Sequence, residues 1–367
     1  MRSKKTEKKT SNKKAMATSG RSVIGVDISP SHIRMVQLSG RQLSQVQLEK
    51  YAITTLPANV VSGGEVVDFD QLVSHLQQCY SKMKTNCKYA NIALPASAVT
   101  IEESLRFIPE GSNMTLQEFV ELEVANIGSL DEMNYDWQVL SGNPGGEQTV
   151  LMVAAKKEAV ERATDLLDEV GIKATNVDVD IFAVANAFAY ADMQNGDSFG
   201  RQRIALFDIG DTVLKALIVE NGQILYKQES NFGLEQLVQS VQRAYQVTDG
   251  EALAMITGEM KRPDDYKAMV VDGFNAQIAQ EVQRVMQFFY ATQNMDSMSN
   301  VKHIYISGSG CAAPGISEVV YAQTNIATEQ LNPASFAINK LKGDGTRFDK
   351  DAASLTTAFG LALRGLV

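Results

Sequence analysis

The chain has 367 residues, 44% hydrophobic and 21% charged, with a formal net charge of −9. That length exceeds one ordinary core and fits two domains or several subdomains; the composition is that of a globular chain, and no run of about 20 apolar residues could cross a bilayer. The acidic balance argues against nucleic acid as a partner. Cys79, Cys87 and Cys311 and the scattered His32, His75 and His303 form neither metal-ligand spacing nor a disulfide framework, which points to free thiols in a reducing, cytoplasmic setting.

Residues 1–20 carry seven Lys/Arg and one Glu, a local charge of +6 that leaves −15 for the remainder. Without an apolar h-region this segment is no secretory signal, and it reads as a solvated, disordered tail. Strands are expected over Ser22–Val26 and Ile33–Leu38, the second apolar on both faces and therefore inside a sheet. A turn at Gly40 leads to a third strand, Leu43–Thr54. Phe69–Met83 has helical spacing, with Leu72, Val73, Leu76, Cys79, Tyr80 and Met83 on one side, and Asn91–Leu94 is a strand closed by Pro95.

From about Ser97 to Asp180 the pattern predicts a compact inserted unit. It contains a strand (Val99–Phe107), a helix (Leu116–Asn126), a strand (Tyr135–Leu140) and a glycine-rich turn over 142–146. Strand Val150–Ala154, helix Lys157–Val170, stopped by Gly171, and strand Lys173–Val179 form a βαβ-like run. A helix, Ile181–Met193, and a linker over 195–200 follow. The second half restarts with strands Arg203–Asp208 and Thr212–Val219, an Asn221-Gly222 hairpin turn and strand Gln223–Glu229. Helix Leu234–Tyr245, a mostly helical stretch over 249–298 with a long segment Ala276–Thr292, strand Lys302–Ser307, a helix near Pro314 and a closing helix Asp351–Leu363 complete the chain.

Both halves open with strand, aspartate turn, strand, glycine turn, strand. GVDISPSHIRMVQL begins at Gly25 and FDIGDTVLKALIV at Phe207, and they align without a gap: Asp27 on Asp208, Ser31 on Thr212, Arg34 on Lys215. This predicts a duplicated α/β domain with a cleft between the copies. A tight turn after a strand offers backbone N–H groups to phosphate, and magnesium accepts one or two protein carboxylates beside phosphates. Asp27 and Asp208 fit the metal-facing role. Ser29, Ser31, His32 and Arg34 on the first loop and Gly210, Asp211 and Thr212 on the second fit the nucleotide. A third loop, Gly308-Ser309-Gly310-Cys311 after a strand, would let a base and ribose lie against bare backbone, with Gly233 bordering the pocket.

The three loops resemble the phosphate and adenosine motifs of the actin-like ATPases. From about residue 22 onward the chain resembles the PilM family of type IV pilus assembly proteins in ANIALPASAV, LDEMNYDWQVLSG, the long stretch VLMVAAKKEAVERATDLLDEVGIKATNVDVDIFAVANAF, EVQRVMQFFYAT, IYISGSGCAAPGISE and AFGLALRG. The resemblance implies an actin-like α/β fold of four subdomains. These are 1A (21–96, 181–202 and 351–367), an inserted 1C (97–180), 2A (203–245 and 300–350) and a helical 2B (246–299). It implies ATP with Mg2+ in the cleft, and a groove between 1A and 1C that takes the N-terminal cytoplasmic peptide of PilN. The protein would then be a cytoplasmic scaffold peripheral to the inner membrane through that partner, linked to other platform and motor proteins, with homo-oligomers open. The alternative is an FtsA-like filament or division protein, which usually carries an amphipathic membrane helix beyond the point where this chain ends.

Three positions depart from the family pattern. Ser29 stands where the first phosphate loop usually has glycine, Pro30 removes one N–H donor, and Asp211 adds negative charge beside the phosphates unless it faces magnesium. No residue besides the aspartates stands out as positioning water, so nucleotide binding with at most slow hydrolysis is expected, and no catalytic residue is assigned.

Overall fold

Two sheets carry the same strand order, built from the two aligned segments. The computed structural model describes residues 22–109, 114–143, 145–194, 202–292, 300–342 and 345–366. The basic tail over 1–20 and the linker over 195–200 lie outside them.

In the first half, β1 (Val23–Ile28) pairs antiparallel with β2 (His32–Ser39), and β2 with β3 (Gln47–Thr55). A small hairpin, β4 (Val61–Ser62) and β5 (Glu65–Val66), precedes helix α1 (Phe69–Met83). The Asp68 side chain accepts from the Gln71 N–H to cap α1, which ends at Lys84 in the left-handed conformation. β6 (Tyr89–Leu94) then lies parallel to β1. β7 (Val99–Phe107), helix α2 (Leu116–Ile127), β8 (Met133–Gly142) and β9 (Gln148–Lys156) build a separate three-stranded sheet in the order β7-β9-β8. Phe107, Val120, Val124, Met133, Val150 and Met152 form its own small core.

Helix α3 (Lys157–Glu169) and β10 (Lys173–Val179) leave that unit. β10 pairs parallel with β6 in the main sheet, and Leu166 and Leu167 of α3 pack with Ile24, Val26, Leu72 and Leu76. The two strands of the expected βαβ-like run therefore belong to different sheets. Helix α4 (Asp180–Gln194) leads to the second half.

There β11 (Ile204–Ile209), β12 (Leu214–Glu220) and β13 (Gln223–Ser230) repeat the antiparallel meander. Helices α5 (Leu234–Tyr245), α6 (Asp249–Thr257) and α7 (Asp272–Thr292) follow, then β14 (His303–Ser307) parallel to β11, α8 (Ile316–Thr324) and β15 (Ala327–Gln330) parallel to β14. The sheets thus read β3-β2-β1-β6-β10 and β13-β12-β11-β14-β15, with β16 (Ile338–Asn339) added beside β3. The alignment of the two motifs is an alignment of structure.

The chain closes with α9 (Gly345–Asp351) and α10 (Thr356–Arg364), joined by a 3-10 turn over Ala352–Leu355 where the sequence predicts continuous helix. Likewise the expected strand from Leu43 begins with a 3-10 turn, and β3 starts at Gln47. α10 lies directly on β1: a Cβ at Gly25 would sit 1.8 Å from the Ala358 carbonyl oxygen, so only glycine admits this approach. α4 packs Ile181, Val184 and Phe188 against Leu206, Leu217 and Tyr305 of the second sheet. One apolar layer therefore ties the halves together beneath the facing aspartate turns.

Candidate functional site

The site grows from strand register. Asp27 on β1 stands opposite Arg34 on β2, and Asp208 on β11 opposite Lys215 on β12. The seven-residue spacing shared by the two motifs is thus an acid–base pair across each hairpin. Both basic side chains then reach beyond their own half.

Arg34, 3% exposed, donates through Nη1 to the Ser29 hydroxyl at 2.9 Å and approaches Asp27 at 3.4 Å. Through Nη2 it donates to the Ser309 hydroxyl at 2.7 Å and approaches Asp211, in the other half, at 3.4 Å. Lys215 makes the reciprocal crossing, with Nζ 2.7 Å from Asp180 at the start of α4. Asp180 also accepts from the Ala96 N–H at 3.0 Å.

Asp211 is the centre of the cluster and only 5% exposed. One carboxylate oxygen accepts from the Ser29 hydroxyl (2.6 Å), the Ser31 N–H (2.9 Å) and the Ser31 hydroxyl; the other accepts from the Ser309 hydroxyl (2.6 Å). Burial alone would raise its pKa, but Arg34 and the Ser29 and Ser309 hydroxyls outweigh it and hold the carboxyl well below the usual range. His32 lies beside it, with Nδ1 2.6 Å from the Ser31 hydroxyl. Burial and then Arg34 lower its pKa to about 4, so the ring is neutral at pH 7.

The two predicted metal-facing carboxylates have different surroundings. Burial raises Asp27 to about 6 against the pull of Arg34 and Lys215. Asp208, 4% exposed, accepts from the Ser307 hydroxyl at 2.7 Å. Lys215 stays protonated because Asp180, then Asp208, outweigh its burial.

The other expected nucleotide residues shape the loops. The Gly210 N–H closes the second turn on the Val213 carbonyl, with Asp211 and Thr212 between them. The Gly233 N–H is taken by the Gln236 side chain, while the first N–H groups of α5, from Leu234 and Glu235, donate to the Gly210 and Asp211 carbonyls. Gly308 has φ +89° and lies so close to β11 that a Cβ would meet the Ile209 carbonyl at 2.4 Å. A Cβ on Gly310 would meet the Ile209 side chain, and burial followed by Asp208 raises the Cys311 thiol, keeping it protonated. The third loop is therefore packed against the second in this conformation.

Ser29, Ser31, His32, Arg34, Asp211 and Ser309 thus converge on one cluster, with Asp27 at its edge. Sequence reading missed Asp180 and Ser307. An aspartate directly after a strand and opening a helix was the available signal for Asp180; Ser307 carries none.

These donors suit an oxyanion: hydroxyls, a backbone N–H and a guanidinium are what a phosphate takes. They do not fit a nucleotide as they stand, because the Asp211 carboxylate already engages them. Asp27, with its side chain 19% exposed, has Arg34 3.4 Å from one carboxylate oxygen, and Asp208, which accepts from Ser307, has Lys215 across the strand pair, so each already has a cationic neighbour. Among the described residues no group of three or more His, Cys, Asp or Glu is placed to hold a metal ion. One buried donor, Arg34 Nε, has no hydrogen-bond partner among the described residues.

Comparison with known proteins gives this geometry its context. A chain from a solved structure titled "PilM-PilN type IV pilus biogenesis complex" superposes with a TM-score of 0.74 at 19% identity, covering 94% of this chain and 98% of that one. The ethanolamine utilization protein EutJ from Carboxydothermus hydrogenoformans superposes at 0.55 with 16% identity, covering 95% and 91%. MreB5 of Spiroplasma citri bound to ADP gives 0.48 at 10% identity, covering 94% and 95%. The duplicated halves form an actin-like α/β fold. The sequence model of the family described as "Type IV pilus assembly protein PilM" matches residues 25–366, and with that span the chain belongs to the PilM family of type IV pilus assembly proteins.

Proposed function

We propose that the chain is a scaffold of the type IV pilus assembly platform that captures the N-terminal cytoplasmic peptide of PilN and links it to other platform and motor proteins. The observation that carries the reading is the family match over residues 25–366, supported by correspondence along 98% of a chain from a PilM–PilN complex. The peptide would dock between the main first sheet and the three-stranded unit of β7, β9 and β8. The protein would work at the cytoplasmic face of the inner membrane, held there by its partner; no helix among the described residues is long and apolar enough to span a bilayer.

ATP with Mg2+ is the ligand this reading assigns to the cleft once it opens, with Asp27 and Asp208 toward the ion. A nucleotide that favoured one closure of the halves would bias the peptide groove through the shared first sheet. Turnover would be slow at most, because the residues described above bind and orient but supply no group that activates water. Calorimetry of the purified chain against the PilN N-terminal peptide tests the reading. Saturable binding supports it, and no binding either with or without Mg-ATP removes it.

A further inference from the structure

We propose that Asp211 is a built-in occupant of the cleft's oxyanion site, a carboxylate standing where a nucleotide phosphate would lie and clasping the halves shut without nucleotide. The clasp rests on the proposed reading of the cleft as the nucleotide site, and it assigns that site a regulation of its own.

The donor set is the first argument. Three hydroxyls (Ser29, Ser31, Ser309) and the Ser31 N–H point at the two oxygens of one carboxylate, and the Arg34 guanidinium lies 3.4 Å away. A carboxylate has about four lone-pair sites, so this one is saturated by hydrogen-bearing groups. It therefore has no free lone pair to face a magnesium ion, and the neighbouring guanidinium repels one. A phosphate oxygen wants the same donors, so nucleotide and Asp211 are rivals for them, and any phosphate brought beside an undisplaced Asp211 meets like charge.

Connectivity is the second argument. The donors Ser29, Ser31 and Arg34 come from the first half, while Asp211 and Ser309 come from the second. The reciprocal pair, Lys215 of the second half on Asp180 of the first, closes the cleft from the other side at 2.7 Å. A third pair, Lys227 with Glu103 at 2.8 Å, joins β13 to β7 further out. Nucleotide-dependent closure normally needs a ligand to bridge two lobes; here the protein's own charges form the bridge. The serine at position 29, in place of a bare glycine, supplies one hydroxyl for that bridge.

The test uses the full chain as wild type, Asp211→Asn and Asp211→Ala, titrated with Mg-ATP by calorimetry. The asparagine variant keeps the shape, so a folded protein remains if the alanine variant fails. Loss of the rival charge is expected to tighten Mg-ATP binding at least about tenfold, the equivalent of roughly 1.4 kcal/mol. Hydrogen exchange read at the Ser31 amide adds a structural readout. Protection there should fall in the variants without nucleotide, while amides of β1 keep theirs, and should return with Mg-ATP. Wild type binding Mg-ATP as tightly as the variants, or tighter, makes Asp211 part of the nucleotide site and overturns the proposal. Absence of Mg-ATP binding in all three proteins overturns it as well. The PilN peptide titrated into the same samples judges the scaffold reading separately.

Discussion

Replacing Arg34 by methionine removes the one guanidinium shared by Asp27 and Asp211 while keeping an unbranched side chain of similar reach. Asp211 is left in a dry environment, 5% exposed, and Asp27 in a half-buried one, its side chain 19% exposed. Breaking a buried ion pair from one side costs about 3–5 kcal/mol, because the remaining charge loses its compensation. Asp211 keeps its serine donors, so most of the loss falls on Asp27, whose pKa burial has already raised to about 6 with Arg34 present. Without Arg34 it rises further, and the acid can escape the penalty by taking a proton. The cost should therefore approach its full size at pH 8 and shrink at pH 5. At about 1.3 °C per kcal/mol, from an unfolding entropy of about 2.1 cal/mol/K per residue over 367 residues, the melting temperature should drop by about 4–7 °C at pH 8. Combining Arg34→Met with Asp27→Asn should recover about 1.5–3 kcal/mol of that, a coupling typical of residues in one network. Thermal melts of the three variants at both pH values decide it. A loss below about 1 kcal/mol for Arg34→Met, or the same loss at both pH values, would refute the reasoning.

Other perturbations probe separate parts of the account. The folded pKa of His32 is about 4 against 6.5 unfolded, so stability from its neutral ring is lost as pH falls through that window; Asp27, at about 6 against 3.8, acts in the opposite sense. His32→Gln should therefore become more stable relative to wild type on acidification from pH 7 to 4, by up to about 3 kcal/mol, whereas parallel stability–pH curves would contradict the assignment. Gly25→Ala drives a methyl into the Ala358 carbonyl and should cost at least about 1–3 kcal/mol in chemical denaturation, with a near-neutral result showing that α10 can move off β1. Lys215→Met strands Asp180 and Asp208 and should cost toward the low end of about 3–5 kcal/mol; addition of Asp180→Asn should restore part of it, and no coupling between the two would mean the crossing pair is not formed in solution.

The duplication was legible because it is written in local register. A gap-free alignment of two turns fixes which residues face each other across each hairpin, and Asp27–Arg34 and Asp208–Lys215 follow directly. Helices with a clear apolar side, such as Phe69–Met83 and Leu234–Tyr245, matched to the residue. Periodicity marked Lys173–Val179 as a strand but could not say which sheet would receive it, since parallel pairing with β6 is a contact across about 85 residues of chain. β15 and β16, four and two residues long and mostly exposed, carry too little pattern to read. The sequence also drew attention to Asp211 as an excess charge near phosphate. Its actual partners, Ser29, Ser31 and Ser309, could not be inferred, because hydroxyls reveal their role only when tertiary structure aims them at one point.

The most direct test of the whole account is the affinity of the nucleotide-free chain for the PilN N-terminal peptide, measured again in saturating Mg-ATP. A scaffold that closes its cleft with its own charges should bind the peptide saturably without nucleotide, and Mg-ATP, by biasing the groove, should only shift that affinity, by about tenfold or less, roughly 1.4 kcal/mol. Peptide capture that appears only when Mg-ATP is present would contradict it.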